Sequence, residues 1–104
     1  EPEASNTLCM FSKDANTLLA VMDKVSDDVY TCKYKPTAWE GFMFIYVGAN
    51  KDDKQTWYGC EPSKDKMFNL STAADKWNPW FKDDVTGGEV TVTADLNTMT
   101  WKYE

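Results

Sequence analysis

The sequence of 104 residues contains no histidine and no arginine, since all 11 of its basic residues are lysines. Without an imidazole, the Cys–His and Ser–His pairs of nucleophilic catalysis are excluded, as are the common histidine-containing zinc sites and a haem held by histidine. Without a guanidinium group, a bidentate grip on phosphate or carboxylate is excluded. We therefore expect a protein that is not an enzyme and that needs no cofactor and no metal ion.

Positive charge is scarce as well, because 11 lysines stand against 17 acidic residues and leave a formal net charge of −6. Nucleic acids and anionic membrane surfaces attract clustered basic side chains, which an acidic chain does not supply. Long apolar runs are also missing, and a span of about 18 apolar residues would be needed to cross a bilayer. We predict neither nucleic acid nor a membrane among the partners.

Only three cysteines are present, Cys9, Cys32 and Cys60, so at least one thiol stays outside any disulfide within the chain. The sequence alone leaves all three pairings open. Cys32 and Cys60 fall in strand-like segments, whereas Cys9 lies near an end, so we favour a Cys32–Cys60 disulfide. Cys9 is then a free thiol, or it links two chains in a disulfide-bonded homodimer.

The compartment follows from the same residues. Small domains use disulfides where these bonds persist, outside the cytosol, so the cysteines favour a secreted protein. Asn69-Leu70-Ser71 is an N-glycosylation sequon, which predicts a glycan on Asn69. The alternative is a cytosolic protein with three buried thiols.

A flexible tail over residues 1–8 and a single domain over residues 9–104 are predicted from the polar start of the chain. Between Ser12 and Val25 the apolar residues recur at helical spacing, with Ser12 placed as the N-cap. This pattern predicts one amphipathic helix. Its apolar stripe consists of Ala15, Leu18, Leu19, Met22 and Val25.

The remainder of the chain favours antiparallel strands. Residues 29–35 alternate strictly, and residues 41–48 form an apolar run that predicts a central strand. Residues 56–60 return as a hairpin partner, and a second hairpin is predicted over 89–103. A strand is expected at 67–70 and a helical turn at 71–77. The expected fold class is therefore α+β, with one N-terminal amphipathic helix packed on a curved antiparallel sheet of about five or six strands.

In outline, a helix followed by hairpins resembles the cystatin-like fold, and Pro79-Trp80 resembles the Pro-Trp loop of cystatin protease inhibitors. The Gln-x-Val-x-Gly motif of that family is absent, the nearest text being Tyr46-Val47-Gly48. An N-terminal helix with Trp-rich strands also resembles the salivary lipocalins of blood-feeding arthropods, although 104 residues are few for an eight-stranded barrel. The chain is assigned to neither family.

The 15 aromatic residues suggest how the protein acts. Trp77-Asn78-Pro79-Trp80 falls in a predicted loop, where neither indole has a periodic partner on a core face. Loop tryptophans supply a large contact area at little entropic cost, so the sequence favours a small secreted protein that binds or inhibits another protein. The predicted contact residues are Trp39, Trp77, Trp80 and Phe81. The plainer alternative is that these rings cover an open edge of the core.

A second function stays open from the sequence. A curved sheet lined by aromatic rings could carry a small apolar or amine ligand in the manner of a lipocalin, with a cation held on ring faces. The lining residues predicted for this carrier are Tyr30, Tyr34, Phe44, Tyr46 and Trp101.

Overall fold

The computed structural model describes residues 3–85 and 87–104 of the chain. Nine strands and one short 3-10 helix make up its regular structure. The strands are β1 (Thr7–Ser12), β2 (Leu18–Val21), β3 (Asp23–Ser26), β4 (Val29–Tyr34), β5 (Phe42–Val47), β6 (Lys54–Cys60), β7 (Leu70–Ser71), β8 (Val90–Asp95) and β9 (Thr100–Tyr103), and the 3-10 helix is Lys64–Lys66. Over those residues, no helix has the length and apolar character needed to cross a bilayer.

Two antiparallel sheets face each other across the core. The first has the strand order β2-β1-β5-β6-β7 and the second has the order β3-β4-β8-β9. Only Met22 separates β2 from β3, so one extended segment passes from the first sheet to the second. On the opposite side, Asn69 bridges to Thr100 and joins the end of the first sheet to β9. The fold is thus a β-sandwich that is partly closed on two sides.

The predicted N-terminal helix is wrong, and with it the α+β fold class. Residues 12–25 form the end of β1, a turn, and the strands β2 and β3. Ala15 has a φ of 63°, which a right-handed helix does not allow. Ser12 closes the turn, because its Oγ accepts the Thr17 N–H and donates to Asp14 Oδ1.

The helical spacing in this segment has a different origin. The pairing of β1 with β2 shifts by one residue between Met10 and Phe11, so Leu19 is an extra residue in β2. Leu18 and Val21 therefore contact the outer cluster, while Leu19, Ala20 and Met22 contact the core. A bulge followed by a change of sheet interrupts the two-residue spacing of buried apolar side chains that a strand normally shows. The resulting spacing of three to four residues resembles that of a helix.

The predicted strand at 29–35 and both predicted hairpins are confirmed. β4 buries Tyr30 and Cys32, and β5 is the central strand of the first sheet. In the β8–β9 hairpin, Ala94 is paired with Trp101 and Thr93 with Lys102. The strand expected at 67–70 is reduced to the two residues of β7. At 71–77, where a helical turn is expected, the structure has no helix but a single turn closed by the Lys76 N–H and the Ala73 carbonyl.

The core between the sheets is aromatic. Phe42 contacts Phe81 with ring centroids 4.8 Å apart and meets Trp101 edge to face at 5.1 Å. Trp101 Nε1 donates a hydrogen bond of 2.8 Å to the carbonyl of Met67, so its one polar atom is satisfied inside the core. Such a core stabilises the fold by area burial and by ring geometry.

A second, smaller cluster lies on the outer face of the first sheet. Ile45 and Val47 of β5 are fully buried there, packed with Cys9 and Phe11 of β1. Ala4 and Ala15 cover this cluster from the N-terminal segment and from the β1–β2 turn. β5 is therefore buried on both faces, as its continuous apolar sequence predicts.

The predicted Cys32–Cys60 disulfide is not formed, because all three cysteines are free and buried. Cys32 lies on β4 of the second sheet, where its Sγ is 3.6 Å from Met10 Sδ, and Cys60 lies on β6 of the first sheet. Burial raises the pKa of Cys32 to about 12 and those of Cys9 and Cys60 to about 11. Neutral buried thiols are poor nucleophiles.

Cys9 is fully buried in β1, so a disulfide between two chains at this thiol would require the strand to open. The tail was expected over residues 1–8, and residues 1 and 2 lie outside the described residues. β1 begins at Thr7, whose Oγ1 donates to the Met22 carbonyl at 2.9 Å.

Candidate binding surface

Three of the five tryptophans are exposed. The exposed fraction is 63% for Trp39, 45% for Trp77 and 38% for Trp57, while Trp80 is half-buried and Trp101 is only 2% exposed. Across the described residues, the other exposed large apolar side chain is Val25. An indole costs more than most side chains to leave in water, so these positions are the first candidates for a contact site.

Trp39, Trp77 and Trp80 lie at one end of the first sheet, which we call the tryptophan end. The segment 77–81 pairs with two neighbouring strands at that end. Trp77 exchanges both of its backbone hydrogen bonds with Cys60 at the end of β6. Trp80 bridges to Gly41 immediately before β5. Because β5 and β6 are antiparallel, the start of β5 and the end of β6 lie at the same end of the sheet. The pairing with segment 77–81 therefore brings loops that are distant in sequence to one place.

Phe81 anchors the tryptophan end to the core. It is fully buried, and it contacts Phe42, Tyr34, Trp101 and Tyr103. The prediction of Phe81 as a contact residue is therefore wrong. Neighbouring residues of an extended segment point in opposite directions, so the sequence could not decide which of Trp80 and Phe81 would be inside.

Glu40 holds the loop that presents Trp39. One carboxylate oxygen accepts a hydrogen bond of 2.6 Å from the Tyr34 hydroxyl, and the other accepts one of 3.0 Å from the Thr37 N–H. The Trp39 N–H donates to the Phe81 carbonyl at 2.7 Å. Burial, and then the contact with Glu40, raise the pKa of the Tyr34 hydroxyl well above its usual range.

Trp39 also has a φ of 65°, in the left-handed region that bulky side chains avoid. Strain of this kind costs on the order of 1–3 kcal/mol and is found preferentially at functional sites. Its own N–H bond to Phe81, and the bonds of the neighbouring Glu40 carboxylate to Tyr34 and Thr37, fix the loop in this conformation.

The surroundings of the exposed indoles are polar. Asn78, beside Trp77, donates from Nδ2 to the carbonyl of Lys13 at 3.3 Å, which ties the segment to the β1–β2 turn. Asp14 is in the same turn, and hydrogen bonds from Ser12 Oγ and the Asn16 N–H hold the pKa of its carboxyl below its usual value. The amide of Asn78 thus adjoins Trp77 in the chain, and the turn that this amide contacts carries the carboxylate of Asp14.

Trp57 is exposed elsewhere, and it is not among the predicted contact residues. It pairs with Ile45 across β5 and β6, so it belongs to the outer face of the first sheet. Alternation in Thr56-Trp57-Tyr58-Gly59-Cys60 could have placed the Trp57 side chain on the other face of the strand from Tyr58 and Cys60, both of which face the core.

The residues predicted to line a carrier cavity are packed against one another. Phe44 is fully buried and lies 5.9 Å from the Trp101 ring, and Tyr30 is buried beside them. Tyr34 and Tyr46 flank the same core. These side chains therefore belong to the core between the sheets, and the carrier function stays a prediction.

In the chain as described, no cluster of three cysteine or acidic side chains is arranged to hold a metal ion. Asn69, the predicted glycosylation site, is half-buried, and its backbone bonds with Lys66 and Glu61.

A search of curated proteins found no match, and neither did a search of solved structures. A scan against protein families matched one family over residues 4–104, which is nearly the whole chain. The chain belongs to the family described as Domain of unknown function (DUF5111).

Proposed function

We propose that this domain is a non-catalytic binding module that holds a neutral polysaccharide chain on its tryptophan end. The observation that carries the proposal is the exposure of Trp39 and Trp77 at one end of a rigid sandwich. An indole face stacks on the C–H face of a sugar ring, and the ring N–H remains free to donate to a hydroxyl group.

The type of ligand follows from what surrounds the indoles. A stable protein interface has a contiguous apolar centre, whereas the exposed rings here stand among polar groups such as Glu40 and Asn78. A hydroxyl-rich ligand can use both the rings and those polar groups. The net charge of −6 disfavours an anionic polysaccharide, so a neutral one fits best.

Pre-organisation is a further support. Trp39 has a strained backbone conformation, and its N–H is bonded to the carbonyl of Phe81. Phe81 is itself fully buried, so it fixes the segment 77–81 to the core. A ring that is already ordered loses little entropy when a ligand stacks on it.

The test is native electrophoresis in gels that each contain one soluble polysaccharide: an α-glucan, a β-glucan, a mannan or a xylan. We expect one of these polymers to retard the protein, and we expect Trp39→Ala and Trp77→Ala each to weaken the retardation at least tenfold. Trp57→Ala is the matched control, since it removes an exposed tryptophan from another surface. Unretarded wild-type protein, or an equal loss in the Trp57→Ala variant, contradicts the proposal.

A second candidate is the protein partner predicted from the sequence. Tryptophan is enriched at the few interface positions that dominate affinity, and the half-buried Trp80 adds apolar area beside Trp77. Under this proposal the wild-type protein is not retarded by any polysaccharide. Chemical crosslinking in conditioned medium then yields a defined complex that Trp77→Ala abolishes and Trp57→Ala preserves.

A further inference from the structure

A groove of about 580 Å³ opens where the chain passes from the first sheet to the second. Its volume falls within the range of about 300–1,000 Å³ typical of ligand sites. β2 forms one wall and β4 forms the other. The lining residues are Leu19, Ala20, Val21, Asp23, Thr31, Cys32, Lys33 and Thr91.

The β4 wall is an unpaired strand edge. β3 covers β4 only as far as the pair Asp23 and Thr31, because the chain leaves the second sheet at Met22. Thr91, which is opposite Lys33 on β8, exchanges both of its backbone bonds with Glu104. The Lys33 N–H and C=O therefore point away from β8, toward the side of β4 on which β3 would lie if it extended beyond Asp23.

The backbone of β2 on the groove side is also unpaired. The Met22 N–H donates to the Leu8 carbonyl, which makes these two residues a hydrogen-bonded pair of the ladder. By alternation, Val21 and Cys9 form a pair without such bonds, so the Val21 N–H and C=O point away from β1. Within residues 3–85 and 87–104, no strand pairs with β2 on that side.

We propose that this groove binds an extended peptide segment of a partner protein, which adds a strand to the free edge of β4 in line with β3. Backbone hydrogen bonds to Lys33 supply affinity, and alternate side chains of the peptide contact Leu19 and Val21. Asp23 and Lys33 at the rim select a segment with a basic and an acidic residue at corresponding positions. This site is independent of the tryptophan end.

The test is a selection from a displayed library of random, cysteine-free dodecapeptides against the whole protein. We expect enriched peptides to alternate apolar and polar residues, and to lose binding when proline replaces a central residue. Thr91→Trp fills the groove and should reduce affinity at least tenfold. Thr93→Trp is the matched control, since Thr93 is two residues further along β8, on the same face and outside the groove.

A second measurement follows the groove directly. Bound peptide should slow hydrogen exchange at the Lys33 amide, recorded by NMR, while leaving already paired β8 amides unchanged. The proposal is overturned if no peptide is enriched, if enriched peptides tolerate central proline, or if Thr91→Trp binds them as well as Thr93→Trp does. Thermal unfolding of both variants establishes that each is folded.

Discussion

Trp101 and Trp39 are the same residue type in opposite environments. Trp101 is 2% exposed, stacks on Tyr103 at 5.7 Å and donates its N–H to a backbone carbonyl. Trp39 is 63% exposed, and its backbone is in the left-handed region. The first ring stabilises the sandwich, whereas the second gains nothing from the fold and is held in place by its neighbours. The difference separates residues kept for stability from residues available for contact.

The largest expected effect is on the interior. Trp101→Ala or Phe81→Ala should lower the free energy of unfolding by about 3–5 kcal/mol, because each removes a buried ring and leaves a cavity. Trp101→Ala also leaves the Met67 carbonyl without its donor. Urea denaturation measures the change. A loss below about 1 kcal/mol at either position would show that the ring is not part of the core.

Alkaline pH should also act on the interior. The folded-state pKa values are about 11 for Cys9 and Cys60 and about 12 for Cys32, above the ordinary value of 9.0 that applies to the unfolded chain. The folded state therefore keeps protons that the unfolded state loses, so this contribution to stability is complete below pH 9 and is lost as pH rises through 11. Each thiol lowers stability by up to about 1.4 kcal/mol per pH unit in that window.

Thermal unfolding between pH 8 and 11 checks this expectation. Cys9→Ala and Cys60→Ala should each flatten the decline, because the thiol that titrates is gone. An unfolding temperature that stays level up to pH 11 would mean that the thiols are accessible in the folded protein.

Glu40→Gln tests the link between the core, which Tyr34 flanks, and the loop that presents Trp39. The substitution keeps a neutral acceptor but removes the charge, so we expect a loss of about 1 kcal/mol of stability and a weaker grip on the Trp39 loop. The pKa of Tyr34 should fall, since the carboxylate helps to raise it. Spectrophotometric titration of the tyrosines measures this shift, and an unchanged titration curve would remove Glu40 from the role of positioning residue.

The smallest effect on stability is expected at Trp39 itself. Trp39→Gly removes an exposed ring and relieves the positive φ, but glycine also gives the unfolded chain more freedom. Because these two effects oppose each other, stability should stay within about 0.5 kcal/mol of wild type. Retardation by polysaccharide should nevertheless be lost, as in Trp39→Ala. If Trp39→Gly unfolds the protein, the contrast with Trp101 fails.

The elements that the sequence predicted correctly are those with local patterns. Strict alternation over residues 29–35 and 89–103 predicted the buried faces of β4 and of the β8–β9 hairpin, and the apolar run at 41–48 predicted the central strand. Residues 12–25 misled because the bulge at Leu19 arises in the pairing of β2 with β1, and the change of sheet at Met22 arises because β3 pairs with β4 instead. Neither pairing can be read from the apolar spacing of the segment itself.

Trp77 and Trp80 are predicted as contact residues because they fall in a loop, and Trp39 because the chain has more tryptophans than a small domain normally buries. The structure places all three at one end of a sheet, and their role in binding stays a prediction. Phe81 was included wrongly, since it is the ring that anchors that end. The partner, the secreted location, the glycan on Asn69 and the absence of catalysis stay predictions.

By itself, the sequence determined the hairpins, the central strand and the presence of more tryptophans than a small core needs. Only the tertiary structure decided that Trp101 is inside while Trp39 and Trp77 are outside, that the three thiols are buried and separate, and that β2 and β3 belong to different sheets. The reason is physical. Alternation and turn chemistry act between neighbours, whereas burial, sheet order and strand edges depend on contacts between segments far apart in the chain.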